Sequence, residues 1–437
     1  MTKSLRQYHF SLILIFLIPV LFASLGIVIW KGPSNVDFGD GQDYLRSARS
    51  IFSPSGYLRD GLTWPFFRPP GYPFVIASIW NLIGAQSILI LKLLNVVTHL
   101  ISTFLTFKIL TRKYQSRVGV VGALIFGLNP FVLLPLTEIQ TEPLTLMLFL
   151  LFCYLITSSF SPINTAIASL TSILLVAVRP EYFFIVSAIC LIALLGQKNN
   201  SRSGIRIGAI LITLVVSLSW WGLQNKEATG TFIPLTNASE YQLWNGSTEY
   251  IYNNYKLAFR YDPKFDSDQY LAIQNDIETK IENWGPAYTQ GTLGDRAQLW
   301  RTAYLQNFGN DPWRYILKTF EKAAIFWRPF LNPRSHGLVL SFVSSIILLP
   351  LTFGIVIVLV RGRKLIFKDL FIKAYLVGFL GLTGIHALQM PDQRYKLPLL
   401  IPFASILIAP ALSNWLTWSI SKVKFFHSNF RFGQDLK

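Results

Sequence analysis

The feature that most constrains this chain is a succession of long apolar segments that carry almost no charge. A helix needs about 20 such residues to cross a bilayer, and about ten segments meet that rule. Only 14% of the 437 residues are charged and 52% are hydrophobic, which argues against a soluble domain and against disorder. The sequence therefore predicts an all-α polytopic membrane protein. The candidate spans lie near 10–30, 87–110, 117–136, 143–159, 163–178, 181–197, 206–222, 338–360, 371–389 and 397–418.

Lys and Arg are concentrated in alternate loops between these segments. They cluster at both termini and near 108–117, 198–206 and 361–373. Because short cytoplasmic loops carry the excess of basic residues, both termini are expected in the cytoplasm. The first apolar run is longer than the core of a signal peptide, so it is expected to stay as a helix. We expect a multi-pass protein of the plasma (inner) membrane.

The two longest connections, 31–86 and 223–337, fall on the opposite side. This predicts three regions: an N-terminal transmembrane region, 1–222, with the first outer loop; an extracytoplasmic domain, 223–337; and a C-terminal transmembrane region with a cytoplasmic tail, 338–437. Helical runs are expected at 267–283 and 295–308. The chain has no internal repeat of the kind many transporters show.

Three acidic residues, Asp37, Asp40 and Asp43, follow the first span at three-residue spacing. In a helix they would share one face. A carboxylate there could accept a proton from an attacking hydroxyl or hold a divalent cation. Alternatively, the acids mark a solvated helix start that the helix dipole favours.

Basic residues on the outer side run against the topology rule. Prolines after Arg68 stiffen a loop and hold this side chain near the membrane surface, where it could pair with phosphate or extend toward lipid headgroups. Arg179 is costly at membrane depth unless it has a function or a partner such as Glu181. Arg394 and Lys396 precede the last span, which suits either a phosphate site or a short solvated loop.

Three further features have open interpretations. Glu142 begins the fourth span, where it is either a functional carboxylate or a helix cap. Trp244 and Asn245 suit a sugar ring or an isoprenoid chain, or alternatively an interfacial aromatic belt. His386 is expected to pack between helices. No Walker lysine loop or GxSxG motif occurs, which disfavours a nucleotide-driven pump and a serine hydrolase.

Six motifs, in order along nearly the whole chain, resemble the GT-C superfamily of polytopic glycosyltransferases. The resemblance is to the bacterial family 39 enzymes, which include protein O-mannosyltransferases and lipid A aminoarabinose transferases. One departure is Gln224-Asn225, where the family often has Arg-Asn. The similar segments are Asp40–Ala48, Arg68–Pro73, Thr141–Leu144, Arg179–Pro180, Gly230–Gly246 and Arg394–Pro398.

This resemblance implies a GT-C-type bundle of about ten transmembrane helices with an extracytoplasmic loop domain. The enzyme would move a hexosyl or pentosyl group from a polyprenyl-phosphate donor to a lipid, protein or polysaccharide acceptor at the outer face, with inversion. Asp40 would be the base and Glu142 the second carboxylate. The residues expected to bind the donor phosphate are Arg68, Arg179, Arg394 and Lys396, and those expected to contact sugar or lipid are Tyr44, Tyr72, Trp244, Asn245 and Tyr395.

The sequence requires no cofactor and predicts no nucleic-acid partner. A divalent metal held by Asp40 and Glu142 stays an open option. Two other functions also stay open. One is a glycan polymerase or ligase with a lipid-diphosphate donor, and the other is a transporter or flippase of lipid-linked sugars.

Overall fold

The structure is a computed structural model in which every regular element of the described residues is a helix. The N-terminal half contains α1 (Lys3–Lys31), α2 (Asp40–Ile51), α3 (Gly71–Ile83), α4 (Ile88–Lys113), α5 (Ser116–Gly127), α6 (Pro130–Leu133), a 3₁₀ helix (Leu134–Thr137), α7 (Glu142–Ile156), α8 (Pro162–Val178), α9 (Tyr182–Gly196) and α10 (Ser201–Thr229). The described residues are 3–36, 40–52, 68–196, 201–236, 239–249, 253, 265–361, 369–397, 399–410 and 412–413.

The C-terminal half contains α11 (Ser239–Ser247), α12 (Phe265–Trp284), α13 (Pro286–Thr289), α14 (Leu293–Asn310), α15 (Pro312–Trp327), α16 (Pro333–Arg361), α17 (Leu370–Leu388), a 3₁₀ helix (Gln393–Tyr395) and α18 (Leu399–Pro410). The runs expected at 267–283 and 295–308 are α12 and α14. Within α16, Gly337 has non-helical angles (φ 76°, ψ 161°), so the helix is kinked there.

Five helices are long and apolar enough to cross a membrane, and α5 with the segment Pro130–Thr137 makes a sixth if that bent pair counts as one span. The prediction of a helical membrane protein is confirmed. The other predicted spans coincide with shorter apolar helices, so their number as spans stays a prediction. The five long spans are Ser11–Lys31, Ile88–Lys113, Arg202–Glu227, Gly337–Ile357 and Leu370–Leu388.

The break in the bent pair has a local cause. Pro130 cannot donate a backbone hydrogen bond, so it begins a new helix instead of continuing α5. Asn129 stays extended and its side chain accepts a hydrogen bond from the backbone N–H of Phe131 at 3.0 Å. The two halves consequently meet at an angle of 62°.

Ionic and capping contacts join several helix ends at one end of the bundle. Arg206 donates from Nη1 to the carbonyls of Leu155, Ile156 and Ser158, at the C-terminal end of α7. Lys113, at the end of α4, pairs with Asp369, just before α17. Arg112 of α4 also donates to the carbonyl oxygen of Tyr154 in α7, so the described ends of these helices lie together.

The segment between α10 and α16 has a small hydrophobic cluster of its own. Its centre is Trp244, which is fully buried and lies 4.5 Å from Trp300 between ring centroids. Ile273 and Ile277 of α12 and Tyr288 of α13 complete the cluster. Aromatic packing therefore holds α11 to α14 together.

Candidate functional site

Asp40 is the first residue of α2, and two arginines from distant parts of the chain contact its carboxylate. Arg68 Nη2 donates to Oδ1 at 2.6 Å, and Arg394 Nη2 donates to Oδ2 at 2.8 Å. Arg68 also donates to Asp43 at 2.9 Å. Asp37 lies outside the described residues. The start of α2, the residue before the prolines that lead into α3 and the turn before α18 are thus brought together at Asp40.

The position of Arg68 follows from the residues after it. The prolines that follow Arg68 lead directly into α3, which begins at Gly71. A Cβ on Gly71 would lie 2.5 Å from the carbonyl carbon of Ala177, so only glycine allows α3 to pack this closely on α8. This close approach sets Arg68 beside the end of α8, where Arg179 follows.

Glu142 is the second carboxylate of the site, at the start of α7. Its side chain is 5% exposed and accepts a hydrogen bond from Arg179 Nη2 at 2.7 Å. Arg179 also donates to Thr141 Oγ1 at 2.7 Å and to Glu181 at 3.3 Å. The expected Glu181 partner is present, but the shorter contact is with Glu142.

Arg394 connects the two carboxylates. Besides its bond to Asp40, its Nε lies 4.0 Å from Glu142 Oε1 and 3.2 Å from Asp392 Oδ2. We call Asp40, Arg68, Glu142, Arg179 and Arg394 the arginine–carboxylate network. It joins five separate parts of the chain at the end of the bundle opposite to the Lys113–Asp369 pair.

Aromatic rings cover the arginines of this network. The guanidinium carbons of Arg179 and Arg394 lie 4.6 and 4.7 Å from the ring centroid of Tyr395, whose hydroxyl accepts from Arg394 Nη2 at 2.7 Å. Tyr44 lies 5.4 Å from Arg68 and contacts Tyr72 edge to face. Such contacts favour the cation and hold it in place. The expected residues Tyr44, Tyr72 and Tyr395 therefore adjoin the network.

The arginines determine the charge state of Asp40. Burial alone would raise the pKa of its carboxyl, but the charges of Arg394 and Arg68 outweigh burial and hold the pKa below its usual range. Asp40 is consequently ionised at neutral pH. Asp40 in turn raises the pKa of Arg68, against the effect of burial. Burial raises the pKa of Tyr44 to about 12, so its hydroxyl stays neutral.

The described part of the site has no surplus of positive charge. Three guanidinium groups contact five carboxylates, those of Asp40, Asp43, Glu142, Glu181 and Asp392. Among the described residues, no three His, Cys, Asp or Glu side chains converge to hold a metal ion. Asp40 and Glu142, the expected metal ligands, are each already bonded to arginine.

Lys396 is not brought to the network, although it is only two positions after Arg394. Its Nζ donates to the carbonyl oxygen of Arg328 at 2.6 Å, and the residue is 1% exposed. Burial and the nearby charge of Arg328 lower its pKa to about 7. The 3₁₀ turn over 393–395 sends neighbouring side chains in different directions, which is why the expected pair of phosphate ligands is split.

Trp244 and Asn245 also lie outside the network. Trp244 is in the aromatic cluster, and Asn245 Nδ2 approaches Met390 Sδ at 3.9 Å. Met390 in turn lies near His386, whose Nδ1 is 3.1 Å from the Met390 carbonyl oxygen. The two residues therefore adjoin the site through packing and do not face it.

Sequence reasoning missed several residues that support the site. Asp392 and Thr141 bind the arginines, and Lys322 joins the end of α11 to the end of α17 through three carbonyl oxygens. His386 packs as expected, stacked on Tyr395 at 4.4 Å and on Phe326 at 5.4 Å. No sequence signal distinguishes Lys322, since its partners are backbone atoms of distant segments.

An apolar groove of about 390 Å³ begins directly beside Arg68. Pro69 and Pro70 form one wall, and Val176 and Ala177 of α8 form another. Trp220, Trp221 and Leu235 complete the lining near the end of α10. The groove thus places an apolar surface next to the charged network.

No protein-family model matches this chain, and neither does any curated protein.

Proposed function

We propose that this protein is a membrane glycosyltransferase that moves a sugar from a polyprenyl-phosphate donor to an acceptor at the outer face of the plasma (inner) membrane. The fold would be of the GT-C type, with about ten spans and both termini in the cytoplasm. The acceptor would be a lipid, a protein or a polysaccharide.

The contact of Asp40 with both Arg68 and Arg394 carries this proposal. A carboxylate and arginines at one point provide the two functions that transfer from a sugar phosphate needs. The carboxylate accepts the proton of the acceptor hydroxyl. Arginines stabilise the charge on the departing phosphate through paired N–H donors.

The transfer would be a single displacement. The acceptor oxygen attacks the anomeric carbon from the side opposite to the phosphate and forms the new C–O bond. The bond from the anomeric carbon to the phosphate oxygen breaks, and its electron pair stays on the polyprenyl phosphate. The hydroxyl proton goes to Asp40. One displacement inverts the anomeric configuration.

Donor binding must change the charges around Asp40, because each arginine already binds a carboxylate. A donor phosphate that takes guanidinium N–H groups from Asp40 would remove the interactions that depress its pKa. Asp40 would then become a stronger base when the donor is in place. Such an exchange would link binding to catalysis.

The apolar groove beside Arg68 supports a donor with a long hydrocarbon chain. It starts at Pro69, so a phosphate at the guanidinium group would leave its chain close to the groove. Apolar walls suit an isoprenoid, which has no hydrogen-bonding groups. Glu142 would keep Arg179 in position and take no direct part in the displacement.

Purified protein in detergent, given polyprenyl-phosphate sugars and a panel of acceptors, tests the proposal. We expect release of polyprenyl phosphate and a product of inverted configuration. Asp276→Asn, a change at a partly exposed carboxylate paired with Lys280, serves as a matched control for Asp40→Asn. Mass spectrometry of envelope glycans with and without the gene identifies the acceptor.

Other outcomes of this assay distinguish the alternatives. Turnover only with a polyprenyl-diphosphate sugar would replace the proposal by a glycan polymerase or ligase. Movement of lipid-linked sugar across sealed vesicles, without transfer in detergent, would indicate a transporter.

A further inference from the structure

Helix α15 presents a row of large apolar side chains that no described residue covers. Trp313 is 69% exposed and Phe320 is 72% exposed, with Ile316 and Leu317 exposed between them. Their spacing of three, four and seven residues places them on one side of the helix. The opposite side is buried and includes Phe326. We call Trp313, Ile316, Leu317 and Phe320 the apolar face.

The C-terminal half of α15 runs alongside the end of α17, one of the candidate spans. Lys322 Nζ donates to the carbonyls of Leu388 and Gln389 at 3.1 and 3.2 Å. Further along, Phe326 stacks on His386. A later residue of α15 thus contacts an earlier residue of α17, so the two helices are antiparallel.

The last residue of α15 reaches deepest along α17. Trp327 Nε1 donates to Thr383 Oγ1 at 2.9 Å, and its ring lies 5.1 Å from that of Phe379. Phe379 is nine residues before the end of α17 at Leu388, which corresponds to about 13 Å along a helix. The end of α15 therefore lies at a level within the span.

The apolar face continues into a surface of the same character. Helix α16 begins six residues after α15 ends, and Leu338, Val339 and Phe342 near its start are exposed. These residues belong to another candidate span, where exposed apolar side chains face lipid. The charged neighbours Arg314 and Lys318 pair with Glu249 instead of bordering the apolar face on both sides.

We propose that α15 enters one leaflet obliquely, with the apolar face against lipid acyl chains and Trp313 near the headgroups. In the proposed topology this is the outer leaflet. Amphipathic helices with Trp, Phe and Leu on one side bind bilayer surfaces in this way. Because His386 stacks on both Phe326 and Tyr395, the lipid contact would help to set the depth of the candidate site.

Nitroxide labels at single cysteines test this inference in vesicles of phosphatidylethanolamine and phosphatidylglycerol. The background replaces both native cysteines, Cys153 and Cys190, by Ala. Labels at Leu317→Cys and Phe320→Cys should collide often with dissolved oxygen and rarely with a water-soluble nickel chelate. Val339→Cys is the lipid-facing reference and Gln306→Cys, exposed on α14, is the aqueous reference.

Two results would overturn the inference. Nickel accessibility at Phe320→Cys equal to that at Gln306→Cys would place the face in water. Low accessibility to both reagents, together with spectral broadening between the labels of two chains, would mean that a second copy of the chain covers the apolar face. Because the readout is local depth, it is independent of transferase activity, and a failed transferase assay would leave it intact.

Discussion

The Nη2 atom of Arg394 lies 2.8 Å from the Oδ2 atom of Asp40, although the two residues are 354 positions apart. This contact joins the start of α2 to the turn before α18. It also brings the guanidinium group within 4.0 Å of Glu142. Since Arg394 holds both carboxylates, it is the residue whose loss should disturb the site most widely.

Replacing the carboxylate of Asp40 tests its role as base. Asp40→Asn should lower kcat by about 10²–10⁴-fold, because the amide cannot accept the hydroxyl proton. Donor affinity should hold or increase, since no carboxylate then competes for the arginines. Steady-state kinetics with a varied polyprenyl-phosphate sugar measure both effects. Near-normal turnover in correctly inserted Asp40→Asn would refute the assignment, and Asp43→Asn should cost much less.

Removing the guanidinium of Arg394 tests its contact with phosphate. Arg394→Ala should lower kcat by about 10²–10³-fold and raise the donor KM less, if the arginine acts mainly as the phosphate departs. Arg394→Lys keeps the charge without the planar pair of donors, so it should be partly active. Lys396→Met is the control: it should lower thermal stability, because the Arg328 carbonyl loses its donor, with little change in kcat.

The pH dependence should differ between kcat/KM and kcat. Asp40 acts as a base only when ionised, so the rate falls as the pH drops through its pKa. In the free enzyme the arginines hold this pKa below its usual range, so the acid limb of kcat/KM should lie at a lower pH than for an ordinary aspartate. With phosphate on the arginines the pKa rises, so the acid limb of kcat should lie at higher pH. If the acid limbs of kcat and kcat/KM coincide, the arginines do not move from Asp40 to the donor phosphate when the donor binds.

The glycine at the start of α3 should be intolerant of a side chain. Gly71→Ala puts a methyl group 2.5 Å from the carbonyl carbon of Ala177, so α3 must move away from α8 and carry Arg68 with it. We expect a loss of about 1–3 kcal/mol in stability and a lower kcat. Gly309→Ala meets nothing within 4 Å and should stabilise α14, by about 0.5–1 kcal/mol. Equal unfolding temperatures of the two variants would show that the packing is loose.

The topology can be tested with an impermeant thiol reagent on whole cells. A cysteine at Gln290, exposed after α13, should react from outside, and one at Gln115, exposed between α4 and α5, should react only after permeabilisation. The reverse pattern would place the candidate site in the cytoplasm and remove the outer-face mechanism.

The helices were predictable because the signal for them is local. Each apolar run is a property of neighbouring residues, and the described part of each predicted run lies in a helix or a bent pair of helices. The alternation of sides then places Asp40, Arg68, Glu142, Arg179 and Arg394 at the same end of the bundle. That reasoning predicts that these residues lie near one another, and the contact of Arg394 with Asp40 agrees with it.

The partners within that neighbourhood were not predictable from the sequence. Arg179 is nearest to Glu142 and not to its sequence neighbour Glu181, because α7 and α8 pack side by side. Lys396 binds the Arg328 carbonyl and Arg394 binds Asp40, because the turn between them directs the two side chains differently. Trp244 is a residue type that often contacts sugars, but its ring packs in the aromatic cluster. Each outcome depends on packing between distant segments.

The distances along the chain between the paired charges also bear on biosynthesis. Glu142 and Arg179 are separated by 37 residues and can meet as soon as α7 and α8 are in the membrane. Asp40 and Arg68 meet earlier still, but Arg394 arrives only after the helices α1 to α17 have been synthesised. A nascent chain arrested before that point would contain most of the helices yet lack the arginine that joins both carboxylates. Completion of the site would thus follow the synthesis of every helix from α1 to α17.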